Sequence, residues 1–140
     1  MSHWSGQEWI ICLNRDDPEV RQRFTLLHEF KHIIDHGQTH WLYTKQKLGA
    51  IRRRWGRPLQ LTVHEQAERA ADYFAGCALV PRTALKQAWA ARLQTPTALA
   101  DHFAVSETAI RVRIDQTGIA RALDPEPSTA RCARPVRTPR

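Results

Sequence analysis

No stretch of this chain approaches the roughly 18 consecutive apolar residues that a membrane-spanning helix needs, so no membrane association is expected. The opening run MSHWSGQEW has no basic flank leading into an apolar core. A secretory signal is therefore not expected, and the expected location is the cytoplasm. Cysteine is scarce: Cys12, Cys77 and Cys132 are odd in number and far apart, which argues against a disulfide framework and fits a reducing compartment. None belongs to a CxxC pair, so a structural zinc knuckle is not expected either. Cys12 and Cys77 lie in apolar surroundings and read as small core residues. Acidic residues are the minority charge, 14 against 21 Lys and Arg, for a net +7. The excess is clustered. Arg52, Arg53, Arg54 and Arg57 surround Trp55, and Arg131, Arg134, Arg137 and Arg140 punctuate the tail. Such clusters can meet nucleic acid or an acidic partner, but a solvated loop and tail is the simpler reading. There is no internal repeat.

What is present is ordinary for a globular protein: 140 residues, 42% hydrophobic and 25% charged, enough for one domain with a real core. Trp9-Ile10-Ile11-Cys12-Leu13 reads as a strand. Asp16-Asp17-Pro18 signals a helix start, with an acidic cap and proline in the first turn. Val20, Phe24, Leu27 and Ile34 then supply an apolar face at helical period, and Gly37 a stop, so the first helix is expected over about residues 18–36. Residues 37–61 show no strong period and read as a loop or short elements, with Leu59 to Val63 briefly extended. A second helix is expected over about 63–79. It opens on the capping box Thr62-Val63-His64-Glu65, carries a small-residue face of Ala67, Ala70, Ala71, Phe74, Ala75 and Ala78, and is closed by Pro81. A third helix is expected over 82–93, then an interruption at Pro96 and two short helices split around Val105-Ser106. From Leu123 onward the composition predicts a disordered tail. The class is α+β, mainly helical.

His28-Glu29-Phe30-Lys31-His32 is an HExxH run in the middle of the first helix. Residues four apart share a helix face about 6 Å apart, so both imidazoles can reach one zinc ion at about 2.0–2.1 Å. Glu29 is placed to act on water rather than to bind the metal. With 7 His and 7 Glu in the chain, roughly 0.02 matches are expected by chance. The bland reading, two polar residues on a helix flank, is therefore the weaker one.

A catalytic zinc site needs a third protein ligand and one position left for water. Glu68 is the best candidate. It lies on the next helix, whereas Glu65 has a competing task as reciprocal partner in the cap at Thr62. The alanines beside Glu68 would let its helix approach the HExxH helix closely. His36 extends the same face as His28 and His32, but a straight helix spreads three such side chains too far apart. His40 does not fit the HExxHxxGxxH spacing, whose third histidine comes ten residues after the first. Asp72, one turn beyond Glu68, is either the acceptor for the outer N–H of a liganding histidine or a plain surface acid.

The run Arg23-Phe24-Thr25-Leu26-Leu27-His28-Glu29-Phe30-Lys31-His32 resembles the helix of ImmA/IrrE-type metallopeptidases, which typically reads RFTxxHExxH. Glu68-Arg69-Ala70-Ala71-Asp72-Tyr73-Phe74-Ala75, followed by Leu79-Val80-Pro81, resembles that family's ExxAxxFA and the leucine-rich stretch ending in proline. The likeness covers about residues 9–117, with three blocks in order. It implies a zincin-like catalytic core over residues 1–94, a helix-turn-helix-like helical pair over 95–120 packed on it, and the basic tail over 121–140. It also implies metal ligation by His28, His32 and Glu68, one Zn2+ (or another divalent ion) per chain, and Glu29 in the catalytic position. The implied activity is that of a metalloendopeptidase cleaving a helix-turn-helix transcriptional repressor. Two departures stand out: Lys31 takes a position where members commonly carry glycine, and little sequence precedes the Trp9–Leu13 strand.

The expected mechanism needs an oxyanion partner, for which His40, His64, Tyr73 and His102 are open choices. The Trp9–Leu13 strand is either a plain core strand or a template for an extended substrate. The rival reading comes from Leu99 to Ile114, which also reads as a DNA-binding helix-turn-helix that would present Glu107, Thr108, Arg111 and Arg113 to a major groove. The protein would then be a DNA-binding or repressor-sequestering regulator with a non-catalytic metal site. DNA binding is not favoured, because relatives carry a similar LAxxFxVSxxAI segment within the peptidase fold and phosphates repel Glu107 and Asp115.

Overall fold

A computed structural model describes residues 1–43 and 61–120 of the chain. Among them are two strands and six helices, an α+β arrangement that is mainly helical. The Arg52–Arg57 cluster, most of the expected loop and the tail lie outside the described residues.

β1 (Ser2–Trp4) and β2 (Trp9–Ile11) form an antiparallel hairpin with Ser2 opposite Ile11, His3 opposite Ile10 and Trp4 opposite Trp9. Gly6 supplies the positive φ (+100°) in the connection. Below the ladder, the Cys12 N–H donates to the Met1 carbonyl at 2.9 Å. The strand expected at Trp9 to Leu13 is thus present but shorter. β1 has no β-branched residue and no sequence signature of its own; it is a strand because it pairs. Cys12 is exposed and Cys77 only half-buried, so neither is the core residue expected of it. Cys12 lies just past the end of β2, beyond the short ladder.

α1 (Glu19–Ile34) follows, with Gly37 in the left-handed region (φ +76°) just beyond its end. Its N-cap is Pro18, not the expected acid, and no side chain caps it. Asp17 instead pairs with Arg21 at 3.5 Å. No residue of α1 is fully buried, and Leu26, Phe30 and Ile34 are exposed. Of the apolar face foreseen from the period, Val20, Phe24 and Leu27 are half-buried and Ile34 is exposed. The C-terminal end of α1 is anchored by a charged cluster. Asp35, 4% exposed, accepts from the Lys31 ammonium and from the Tyr43 hydroxyl, and Lys31 reaches Tyr43 at 3.1 Å. Lys31 thus ties α1 to the end of the short α2 (Thr39–Leu42).

α3 (Val63–Leu79) begins with the expected capping box. Thr62 accepts from the Glu65 N–H at 3.2 Å, and the Glu65 carboxylate accepts from the Thr62 N–H at 2.7 Å. Ala67, Ala71 and Ala75 are buried, so α3 packs closely on α1. α4 (Arg82–Ala90), α5 (Pro96–Phe103) and α6 (Glu107–Thr117) follow among the described residues. Pro96 occupies the first turn of α5 behind the cap Thr95, and Ser106 caps α6 through the Ala109 N–H. The main buried cluster, Val80, Leu85, Ala88, Leu99, Ala100, Val105, Ile110 and Ile119, lies in this C-terminal half. Arg113, 4% exposed, docks α6 on α3 by donating to the Val80 carbonyl through Nε (3.2 Å) and a terminal nitrogen (3.1 Å). Where α6 passes Gly76, a Cβ would meet the Arg113 Cδ at 3.3 Å. No helix among the described residues is long and apolar enough to cross a membrane.

Candidate metal centre

α1 places His28 and His32 one turn apart, and their Nε2 atoms are 3.1 Å from each other. α3 brings Glu68 against both. Oε2 lies 3.3 Å from His28 Nε2, and Oε1 lies 3.2 Å from His32 Nε2. Three donor atoms from two helices thus converge, and they are the group among the described residues that could hold a metal ion. The fit can be tested by geometry. Donors held at about 2.0–2.1 Å around a tetrahedral ion stand about 3.3 Å apart. The two Nε2 atoms, 3.1 Å apart, match that spacing, the Glu68 carboxylate turns one oxygen to each imidazole at 3.2 and 3.3 Å, and two imidazoles with one carboxylate are a suitable donor set for a divalent ion.

The alanine face of α3 is what permits this approach. Ala71 and Ala75 are fully buried beside Glu68, where larger side chains would hold the helices apart. Asp72, one turn further on, lies with Oδ1 2.9 Å from His28 Nδ1. A carboxylate behind one ring nitrogen orients a histidine for ligation through the other, and Nε2 is the nitrogen turned to Glu68 and His32. Of the two readings left open for Asp72, the structure favours the partner of His28.

The competitors fall elsewhere. His36 packs edge-on against the Trp9 ring at 4.7 Å, and His40 sits on α2; neither joins the group. Of the four open choices for an oxyanion partner, His64 lies beside the group, its Nε2 3.8 Å from Glu68 Oε1. Tyr73 lies beside the Arg113 guanidinium, and His102 stacks edge-on against Phe103.

Glu29 is next to the cluster in sequence but points to β1. Its Oε2 accepts from the Ser2 hydroxyl at 2.7 Å, and its Oε1 lies 2.9 Å from the Met1 amine. Burial pushes the Glu29 carboxyl up, but the Ser2 hydrogen bond, the Met1 amine and His28 outweigh it and hold the group below the usual glutamate value. The contact with Ser2 was not readable beforehand, since it depends on the unsignalled strand β1.

Comparison with known proteins agrees with this geometry. A family model described as the IrrE N-terminal-like domain, peptidase M78, matches residues 1–115. No curated protein and no solved structure gives a significant match. With two histidines and a glutamate gathered at one point and most of the chain covered by that model, this protein belongs to the M78 family of peptidases.

Proposed function

We propose that this chain is a zinc-dependent endopeptidase with a zincin-like core, and that it cleaves a helix-turn-helix transcriptional repressor. The single observation carrying the proposal is the convergence of His28, His32 and Glu68 at 3.1–3.3 Å. These three residues would hold the ion, and Asp72 would orient His28. A divalent ion there supplies Lewis acidity, polarising the scissile carbonyl and easing deprotonation of the attacking water. Glu29 would accept that water's proton as the new C–O bond forms and the carbonyl becomes an oxyanion, and would return it to the amine as the peptide C–N bond then breaks and the carbonyl re-forms. His64, beside Glu68, is the candidate to hydrogen-bond the developing oxyanion. The repressor as substrate follows from the family likeness.

The test is incubation of the purified protein, with and without a chelator, with the helix-turn-helix repressor encoded nearest to its gene. Chelator-sensitive cleavage is the expected result, and an intact repressor under metal-replete conditions refutes the reading. The rival DNA-reading role is weakened by Arg113. Instead of standing free for a base edge, its guanidinium is buried on the Val80 carbonyl, and Glu107 is engaged by Thr97 and Arg111.

A further inference from the structure

We infer that β1 is an intramolecular strap that masks Glu29 and must leave β2 before a substrate strand can be cut. This rests on the reading of Glu29 as the general base. A base has to offer a carboxylate oxygen to the water it deprotonates. Here one oxygen takes the Ser2 hydroxyl at 2.7 Å and the other faces Met1 at 2.9 Å, so the strand that carries Ser2 occupies both. The Glu29 side chain keeps only 16% of its exposure.

The same strand covers a second feature. By pairing in register from Ser2 opposite Ile11 to Trp4 opposite Trp9, β1 takes up an edge of β2. An extended peptide could use that edge only by replacing it. A substrate strand and β1 therefore compete for this edge of β2 and for access to Glu29.

The strap is built to come away. It is three residues long, and His3 and Trp4 are exposed, so little buried surface opposes its local opening. Its ties are the short ladder, its packing on α1, the Ser2 hydroxyl and Met1 amine on Glu29, the tilted Trp4–Trp9 ring contact at 5.7 Å and the Met1–Cys12 bonds.

A covalent clamp tests this. His3 and Ile10 face each other across the ladder and are both exposed, so a disulfide between them locks β1 without touching Glu29. Cα atoms across an antiparallel pair, about 4.5–5.5 Å apart, lie within disulfide range. The variant His3→Cys/Ile10→Cys is made in a background with Cys12, Cys77 and Cys132 replaced by serine, loaded with zinc, and assayed on the repressor before and after reduction. The reduced form should cleave like its parent and the oxidised form about ten-fold slower or worse, because the competent fraction falls with the locked strand. Recovery with reductant completes the expected result. Equal rates in the two forms overturn the strap. If even the parent leaves the repressor intact, the peptidase reading fails on its own account. A second readout then decides about the strap: amide exchange of residues 2–5 in the zinc-loaded protein, with and without an extended tetrapeptide hydroxamate. Faster exchange in the complex supports displacement of β1, and unchanged or slower exchange overturns it.

Discussion

Asp72 holds His28 from behind, its carboxylate oxygen 2.9 Å from Nδ1 while Nε2 of the same ring lies 3.3 Å from Glu68. One helix therefore delivers both the carboxylate of the site and the group that orients a histidine of the facing helix. Asp72→Ala should weaken zinc binding by about 10–100-fold with the fold retained. Titration against a chromophoric chelator measures this, and wild-type affinity in the variant would reduce Asp72 to a surface acid.

Glu29 should be separable from metal binding. Glu29→Gln is expected to lower the cleavage rate by about 10²–10⁴-fold, the usual worth of a positioned base, while zinc content measured by mass spectrometry stays near that of the wild type. Near-normal turnover in this variant removes Glu29 from the mechanism.

The Lys31–Asp35–Tyr43 cluster should carry stability, and its pH dependence has a definite sign. Burial opposes the charge on Lys31, but the bonds to Asp35 and Tyr43 win and hold its pKa above the usual lysine value. Burial, then the hydrogen bond to Asp35, also raises Tyr43. Groups with raised folded pKa values stabilise fully below their unfolded values and lose that contribution as pH rises through the folded ones. The loss should therefore fall above about pH 10. Asp35→Ala should cost about 3 kcal/mol, since it strands a partly buried ammonium. Urea melts of both proteins at about pH 8 and about pH 11 check this, the difference between them shrinking at the higher pH. A difference that grows with pH contradicts the assignment.

Arg113 should matter to folding and not to DNA. Arg113→Ala leaves the Val80 carbonyl without its two donors and is expected to cost about 2–3 kcal/mol in a denaturant melt. The wild-type protein should give no shift of duplex DNA in a low-salt gel. A shift with a steep salt dependence would restore the DNA-reading role.

Much of the helical framework was legible in local chemistry. The capping box at Thr62 and Glu65, the Ser106 cap, Pro96 at the head of α5 and Gly37 after α1 act within a few residues of themselves, so their effect can be read without knowing the fold. The same holds for the pairing of His28 with His32, which needs only helical period. Expectations that depended on what covers a surface fared worse. Cys12 and Ile34 are exposed, because burial answers to neighbouring layers, and Asp17 pairs with Arg21 while Pro18 takes the N-cap position of α1.

Taken by itself, the order of amino acids determined where the long helices start and stop, and which imidazoles share a face, since those follow from contacts three or four residues apart. Only the tertiary structure decided that Glu68, and not His36 or His40, meets them, that Asp72 stands behind His28, and that Glu29 is gripped by Ser2. Those relationships span 27 to 44 positions of chain. They exist because small alanines let α3 close on α1 and because an unremarkable N-terminal segment becomes a strand on finding β2.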